Sequence, residues 1–425
     1  MRIVHGLTEA HAVLRARGEA TDDRTAEDAV RATLEDVRMR GDAAVREATT
    51  RFDGVTLDTL LASNQEIEEA VTKVDASLKK AMDVSASRIR AYYEKQQEGG
   101  FIATEEGAVL GQLIRPIESV GVYAPGGTAP LFSTVLMSAV PARVAGVERL
   151  TIASPPRPDG SLPPEILYAA QLVDAEYVLK AGGAQAIAAM AFGTESLPRV
   201  DKIVGPGNRY VVAAKRLVYG EVGIESLPGP TETLVVAGPN ADPTHAASDL
   251  LAQAEHLDAQ PVLVTWSESR LHAILDAAQR AMETLPTRAA AEASMNQRGL
   301  AILVDDEHEA LEVANAYAPE HLCLLVDDPW RLLPEIRNAG GIFLGAHSME
   351  ALGDYVAGPS HVMPTNATAR FASFINLRDF QKVIPLVYAE PGWVNRIGPH
   401  AVTMARAEGL EAHARAVLAR LEEDA

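Results

Sequence analysis

Val122-Tyr-Ala-Pro-Gly-Gly-Thr128 is an apolar run that breaks on a proline and two glycines; an alanine-rich stretch follows, and a second apolar run, Leu150 to Ser154, closes the unit at Pro155. Short apolar runs bounded by turn residues read as buried strands, and the longer segment between them reads as a helix. Val235 to Trp266 repeats the cadence of strand, proline or glycine turn, helix, strand. Working outward, the same alternation gives strand candidates at Val120 to Ala124, Leu150 to Ser154, Tyr177 to Lys180, Lys202 to Val204, Thr233 to Ala237, Val262 to Trp266, Ala301 to Val304, Leu322 to Val326 and Gly341 to Leu344. Such alternation implies parallel sheets flanked by helices.

The expected fold is therefore α/β, with two Rossmann-like doubly wound domains and small helical segments at the N- and C-termini. The two units are expected to be related halves, although their residue-level likeness is too slight to establish a repeat. Arg24 to Gln97 carries helical periodicity and mixed charge, broken at the turn signal Asp53-Gly54. After Phe371 the strand signals fade, and Glu408 to Leu421 reads as a closing amphipathic helix. The expected organisation is an arm over 1–18, one domain from 19–95 plus 233–370, a second over 96–232, and a terminal segment over 371–425.

Composition narrows the function. The chain has 425 residues, 47% of them hydrophobic, enough for a substantial core and two or three domains. A formal net charge of -20 opposes nucleic acid, which requires clustered Lys and Arg, and favours small solutes. The single cysteine, Cys323, excludes an internal disulfide and a cysteine-rich metal knuckle, and reads as an inert buried thiol. Met1 to Gly18 lacks a basic lead before an apolar core, and no apolar run reaches the ~18 residues of a spanning helix, so the cytoplasm is the expected location.

The chemistry-bearing candidates are scattered. Gln253 and His256, in a run that reads as helical from Ala246 to His256, would share one helix face and could touch one ion. A carboxamide is an unusual zinc ligand, and a wet helix face is the commoner explanation. The glycine turns after Tyr123 and at Gly205-Pro-Gly-Asn208 would let backbone amides approach a cofactor, yet neither is a full dinucleotide fingerprint and each alone is more often a tight turn. Thr231 sits at a strand entrance. Glu320 and His321 suit paired proton transfer at neutral pH, but in an extended strand neighbouring side chains point to opposite faces, so they share a cleft only if the chain bends near Pro319. Asp354 is a reasonable oxygen ligand with His361 as its neighbour, and Glu408 and His413 add an acid and an imidazole near the terminus.

Taken together, Val122-Tyr-Ala-Pro-Gly-Gly-Thr-Ala-Pro130, Gly205-Pro-Gly-Asn-Arg-Tyr210, Gly229-Pro-Thr-Glu232, Gln253-Ala-Glu-His256, Ala318-Pro-Glu-His-Leu322 and Leu352-Gly-Asp-Tyr-Val-Ala-Gly-Pro359 resemble the histidinol dehydrogenase family, in its motif order and over nearly the whole chain. The resemblance implies a zinc- and NAD-dependent enzyme that oxidises L-histidinol to L-histidine through L-histidinal, the last step of histidine biosynthesis. It implies Gln253, His256, Asp354 and His413 as zinc ligands; Thr231, Gln253, His256, His321, Asp354, Glu408 and His413 as substrate contacts; Tyr123, Gln185 and Asn208 as NAD contacts; and Glu320 and His321 as the proton-transfer pair. Metal and catalytic motifs would then belong to the domain containing 233–370, and NAD to 96–232. A homodimer is implied, with the C-terminal segment reaching the partner's site. Three departures bear on loop shape: Thr231 where many members have Ser, Leu257 where Gly is frequent, and Asn366 in a loop often richer in glycine. The same fold acting on another small polar alcohol, and a catalytically silent ligand-binding protein, are the alternatives; the intact Glu320-His321 pair opposes the second.

Overall fold

The computed structural model describes residues 1–17, 24–126, 130–256 and 258–421; the expected boundary at 18/19, Gly127 and Thr128 of the opening motif, and Leu257 lie outside the described residues. Its strands are β1 Arg2–His5, β2 Phe101–Glu105, β3 Ala108–Pro116, β4 Ser119–Tyr123, β5 Arg149–Ser154, β6 Tyr177–Lys180, β7 Lys202–Val204, β8 Gly223–Ile224, β9 Glu232–Ala237, β10 Gln260–Thr265, β11 Leu300–Leu303, β12 His321–Leu325, β13 Gly341–Leu344 and β14 Gln381–Ala389. All nine expected strands are present, displaced by at most two residues at an end.

Two parallel sheets carry the fold: one ordered β1-β11-β10-β9-β12-β13, the other β6-β5-β4-β7-β8. Counted from β9 in the first and β4 in the second, both run 3-2-1-4-5, so the halves share one doubly wound topology. The likeness lies in connectivity, which the shared hydrophobic cadence reflects. Every residue of β4, β9 and β12 is buried, as expected of central strands with helices on both faces.

Four expectations need correction. The N-terminal arm opens with β1, which pairs in parallel with β11 at the edge of the larger sheet; only Val4 of its four residues is buried, so no apolar run marks it. The helix Arg24–Arg40 packs on Gly183–Phe192 and Arg209–Val218, the helix Asp42–Asp53 packs on Gly183–Phe192, and Val30, Leu34 and Val45 join the core beside the smaller sheet, not the 233–370 domain. The C-terminal segment is not helical throughout, because β14 pairs antiparallel with β3, which pairs with β2. β2 and β14 are exposed over most of their length, which removes the alternation that would announce them, and Pro385 within β14 is tolerated because β14 is an edge strand. Finally, Gln97–Ile117 groups with the chain from Phe380 on as a small compact unit, separate from the unit that holds both parallel sheets. That small unit also contains the helices Pro391–Ala407 and Glu411–Leu418, the second matching the expected closing helix. Among the described residues no helix is long and apolar enough to cross a membrane.

Candidate active site

The reactive side chains gather at the amino-terminal edge of the larger sheet. His321 is the first residue of β12 and stands in register with Thr233 of β9, so Thr231, Glu320 and His321 reach the edge together. The bend expected near Pro319 is made by Ala318, which caps the helix Glu307–Tyr317 in the left-handed region at φ 52°. The chain enters β12 only after that turn, and Glu320 and His321 come to share one pocket: Glu320 Oε2 lies 3.8 Å from His321 Nδ1. Glu320 is 6% exposed and His321 4%. Thr231 Oγ1 donates to Glu320 Oε2 at 2.6 Å and the Glu232 N–H donates to the same oxygen at 2.9 Å.

The tautomer of His321 follows from its partner. Nδ1 lies 3.1 Å from the Glu232 carbonyl oxygen, which can only accept, so Nδ1 carries the proton of the neutral ring. Nε2 is then a bare lone pair; it is buried and, among the described residues, has no hydrogen-bond partner. Asp354 Oδ1, another acceptor, stands 3.9 Å from it. Burial, reinforced by the nearby His256, pushes His321 down to about 3, so the ring is held neutral. Burial pushes the Glu320 carboxyl well above its usual range, against the Thr231 hydrogen bond and together with the Asp354 charge.

Gln253 is 1% exposed, in the last turn of the helix Pro243–Ala254. The helix expected to reach His256 stops at Ala254, but the His256 N–H still donates to the Gln253 carbonyl at 3.2 Å, which keeps the two a turn apart. The Gln253 amide presents Oε1 to the hydroxyls of Thr231 and Thr233, at 3.4 Å and 2.7 Å, and leaves Nε2 buried with no partner among the described residues. The two ends of an amide are told apart by their partners. Thr231 also faces Glu320, and Thr233 also faces Glu350, yet each hydroxyl has one proton. Where both carboxyls are ionised and take those protons, the amide donates to both threonines, and its carbonyl oxygen turns to the position where Nε2 has no partner among the described residues. A buried oxygen without a donor is what a cation requires.

The charges agree. Burial raises the carboxyls of Glu320, Glu350 and Asp354 together, and Asp354 adds its charge to each of the other two. A cation among them offsets that cost. His256 lies near enough to act on both His321 and Asp354. Gln253, His256 and Asp354 would offer zinc nitrogen and oxygen donors of the kinds it takes; among the described residues no three His, Cys, Asp or Glu side chains are gathered as a finished metal centre. His361 is fixed as the neighbour of Asp354: Nδ1 donates to the Asp354 carbonyl at 3.1 Å, and Nε2 faces Thr134 Oγ1 at 3.3 Å. Glu408 and His413 are exposed residues of the small unit, one capping the helix Pro391–Ala407 and the other in Glu411–Leu418.

A cavity of about 620 Å³ brings together Tyr123, Gln185 and Asn208 beside the carboxyl ends of β4 and β7, where the order of the smaller sheet reverses. That crevice is where doubly wound sheets bind ligands. The Gly183 N–H donates to the Tyr123 hydroxyl at 3.1 Å, and Asn208 Oδ1 caps the helix Arg209–Val218 by accepting from the N–H groups of Tyr210 and Val211, which leaves its NH2 to meet a ligand. Gly205, at φ 115°, could not be replaced: a Cβ would lie 2.2 Å from the Tyr123 carbonyl oxygen.

Sequence reasoning missed Glu350, Thr233 and Asp53. Glu350 and Thr233 act through hydrogen bonds to other site residues, and no spacing announces that. Asp53 was read as half of a turn signal; it lines the cavity. Of the three departures, Asn366 is now explained: at φ 54° it holds a left-handed position that asparagine tolerates, and its N–H donates to Glu232 Oε1 at 3.0 Å.

The histidinol dehydrogenase family model matches residues 16–421. The chain is 54% identical to the histidinol dehydrogenase of Deinococcus radiodurans over 400 residues, covering 94% of this chain and 91% of that one. It is 47% identical to the enzyme of Thermus thermophilus over 416 residues, covering 98% and 99%. The crystal structure of histidinol dehydrogenase from Elizabethkingia anophelis superposes with a TM-score of 0.93 at 37% identity, covering 99% of this chain and 98% of that one. With the family's motifs folded into one buried edge and one cavity, the chain belongs to the histidinol dehydrogenase family.

Proposed function

We propose that this protein oxidises L-histidinol to L-histidine through L-histidinal, by two successive hydride transfers to NAD at a zinc-dependent site, as the last step of histidine biosynthesis. The observation that carries this reading is the neutral Nε2 of His321, buried 3.9 Å from the Asp354 carboxylate and without a hydrogen-bond partner among the described residues. His321 Nε2 takes the alcohol proton as hydride leaves. The Glu232 carbonyl keeps the opposite nitrogen protonated, and the carboxyls of Glu320, Glu350 and Asp354, each within 4.0 Å of a ring nitrogen, steady the imidazolium that forms. Glu320 then assists addition of water to the aldehyde; a carboxyl raised by burial is a stronger base for that task. The hydrate is again an alcohol, so His321 serves the second oxidation once the cofactor has been exchanged.

Gln253, His256, Asp354 and, from the partner subunit, His413 would hold zinc, which when bound supplies positioning of the imidazole and amino ends of the substrate. Thr231, Gln253, His256, His321, Asp354, Glu408 and His413 contact the substrate. Tyr123, Gln185 and Asn208 receive NAD, the hydride acceptor. Residues 233–370 supply the metal and catalytic groups, 118–232 with the helices Arg24–Arg40 and Asp42–Asp53 the cofactor site, and 371–425 the tail that completes the partner's site in a homodimer; the exposure of Glu408 and His413 supports that exchange. Incubation of L-histidinol and NAD with zinc-loaded protein is expected to give L-histidine, with activity lost to a chelator and restored by zinc. A folded, zinc-loaded protein that leaves L-histidinol untouched would overturn the reading.

A further inference from the structure

We infer that Asp53 sets the cofactor preference of this site: its carboxylate accepts the hydroxyl pair of the adenosine ribose and excludes a ribose phosphate, so NAD is taken and NADP refused. The inference rests on the reading that the cavity containing Tyr123, Gln185 and Asn208 is the NAD site. Asp53 and Arg157 are the charged residues of that cavity's wall. Arg157 is largely at the surface and leans toward Glu165, 3.9 Å away. Asp53 is half-buried: Gln185 Nε2 donates to its Oδ2 at 3.2 Å, which fixes the carboxylate in the wall and leaves Oδ1 to accept from a ligand.

Stability does not account for a carboxylate here. Asp53 is the last residue of the helix Asp42–Asp53, where the unpaired carbonyls already make the potential negative, and an acid belongs at the other end of a helix. Among the described residues it pairs with no cation. Carboxylate and helix end therefore add in sign. A vicinal diol donates two hydrogen bonds and gains from both; a phosphate, anionic and without donors, is repelled by both. The signal was present in the chain as Arg51-Phe52-Asp53-Gly54, but with Gly54 as its left-handed cap the motif reads as a helix stop.

The test compares wild type with Asp53→Asn, Asp53→Ser and Ala29→Trp, measuring Kd and kcat/KM for NAD and for NADP, with KM for L-histidinol as a control. Ala29 is an exposed residue of the cavity wall, so a tryptophan there obstructs the cavity while the Asp53 carboxylate is retained. The expected result is that both Asp53 variants weaken NAD and strengthen NADP, moving the NADP-to-NAD ratio by about tenfold or more, the scale of one hydrogen bond to a charged group, while KM for L-histidinol stays put. If Ala29→Trp weakens NAD but the Asp53 variants leave the ratio unchanged, or lose NAD with no gain for NADP, the inference about Asp53 is wrong and the cavity is still the NAD site. If Ala29→Trp leaves NAD binding unchanged, the cavity is not the cofactor site and the inference falls with that reading.

Discussion

His321 donates through Nδ1 to the carbonyl of Glu232, 3.1 Å away, and this one hydrogen bond decides which nitrogen does the chemistry. It places the lone pair on Nε2, inside the cleft. Replacing His321 with Gln or Ala is therefore expected to lower turnover by a factor of ~10²–10⁴, the usual worth of a general base. Zinc content should stay near wild type, and L-histidinol should still bind, with a loss of affinity smaller than the loss of turnover. Near-normal turnover with both ligands bound would remove His321 from the base role.

Thr231 keeps the hydroxyl that donates to Glu320 at 2.6 Å. Thr231→Ser should retain activity. Thr231→Val withdraws one of two donors from a buried carboxyl and should cost kcat roughly tenfold to a hundredfold, the size expected for a hydrogen bond to a charged group. Equal activity of the Ser and Val variants would mean that the hydroxyl is dispensable.

The fold was legible where burial was complete and illegible where it was not. The all-buried strands β4, β9 and β12 announce themselves as apolar runs between turn residues, and the shared 3-2-1-4-5 order explains why two units have one cadence. The exposed strands β2 and β14 have no such signature, and the placement of the N-terminal helices depends on which sheet their apolar faces meet. The site was legible as motifs because its residues come in short runs, such as Glu320-His321. What joins the runs is long-range: Thr233 to Glu350, Thr231 to Glu320 and Asp53 to Gln185 are hydrogen bonds across more than eighty residues of chain, invisible to any local pattern.

Lys215 is 0% and Glu225 3% exposed; they pair at 2.7 Å, and both hold Gly205, Lys215 through its carbonyl at 3.0 Å and Glu225 through its N–H at 2.8 Å. Lys215→Met strands a buried carboxylate and is expected to cost about 3–5 kcal/mol in denaturant unfolding. Lys215→Met with Glu225→Leu should recover much of that loss, because no charge remains without its partner. A single variant as stable as wild type would show that the pair carries no such burden.

Asp249 gives a pH dependence with a defined sign. Burial raises its carboxyl from 3.8 to about 6, so between those values the folded protein holds a proton that the unfolded chain has released. Its contribution is fully present below pH 3.8 and lost as pH rises through 6, leaving a cost of about 2–3 kcal/mol at neutral pH. Asp249→Asn should raise the melting temperature at pH 7.5 and have little effect at pH 4. A rise of equal size at both would assign the gain to something other than ionisation.

If the C-terminal tail serves the partner's site, inactive His321→Gln and His413→Ala chains should complement each other on mixing. Each mixed dimer then has one site with both residues intact, and random exchange should restore about a quarter of wild-type activity. No restoration from dimers shown to exchange would place His413 in its own chain's site or in none.

The central claim is that one base at one site performs two oxidations. Limiting L-histidinol, excess NAD and zinc-loaded protein should yield two NADH for each L-histidinol consumed, with L-histidine as the product. One NADH per L-histidinol, with aldehyde released, would contradict it.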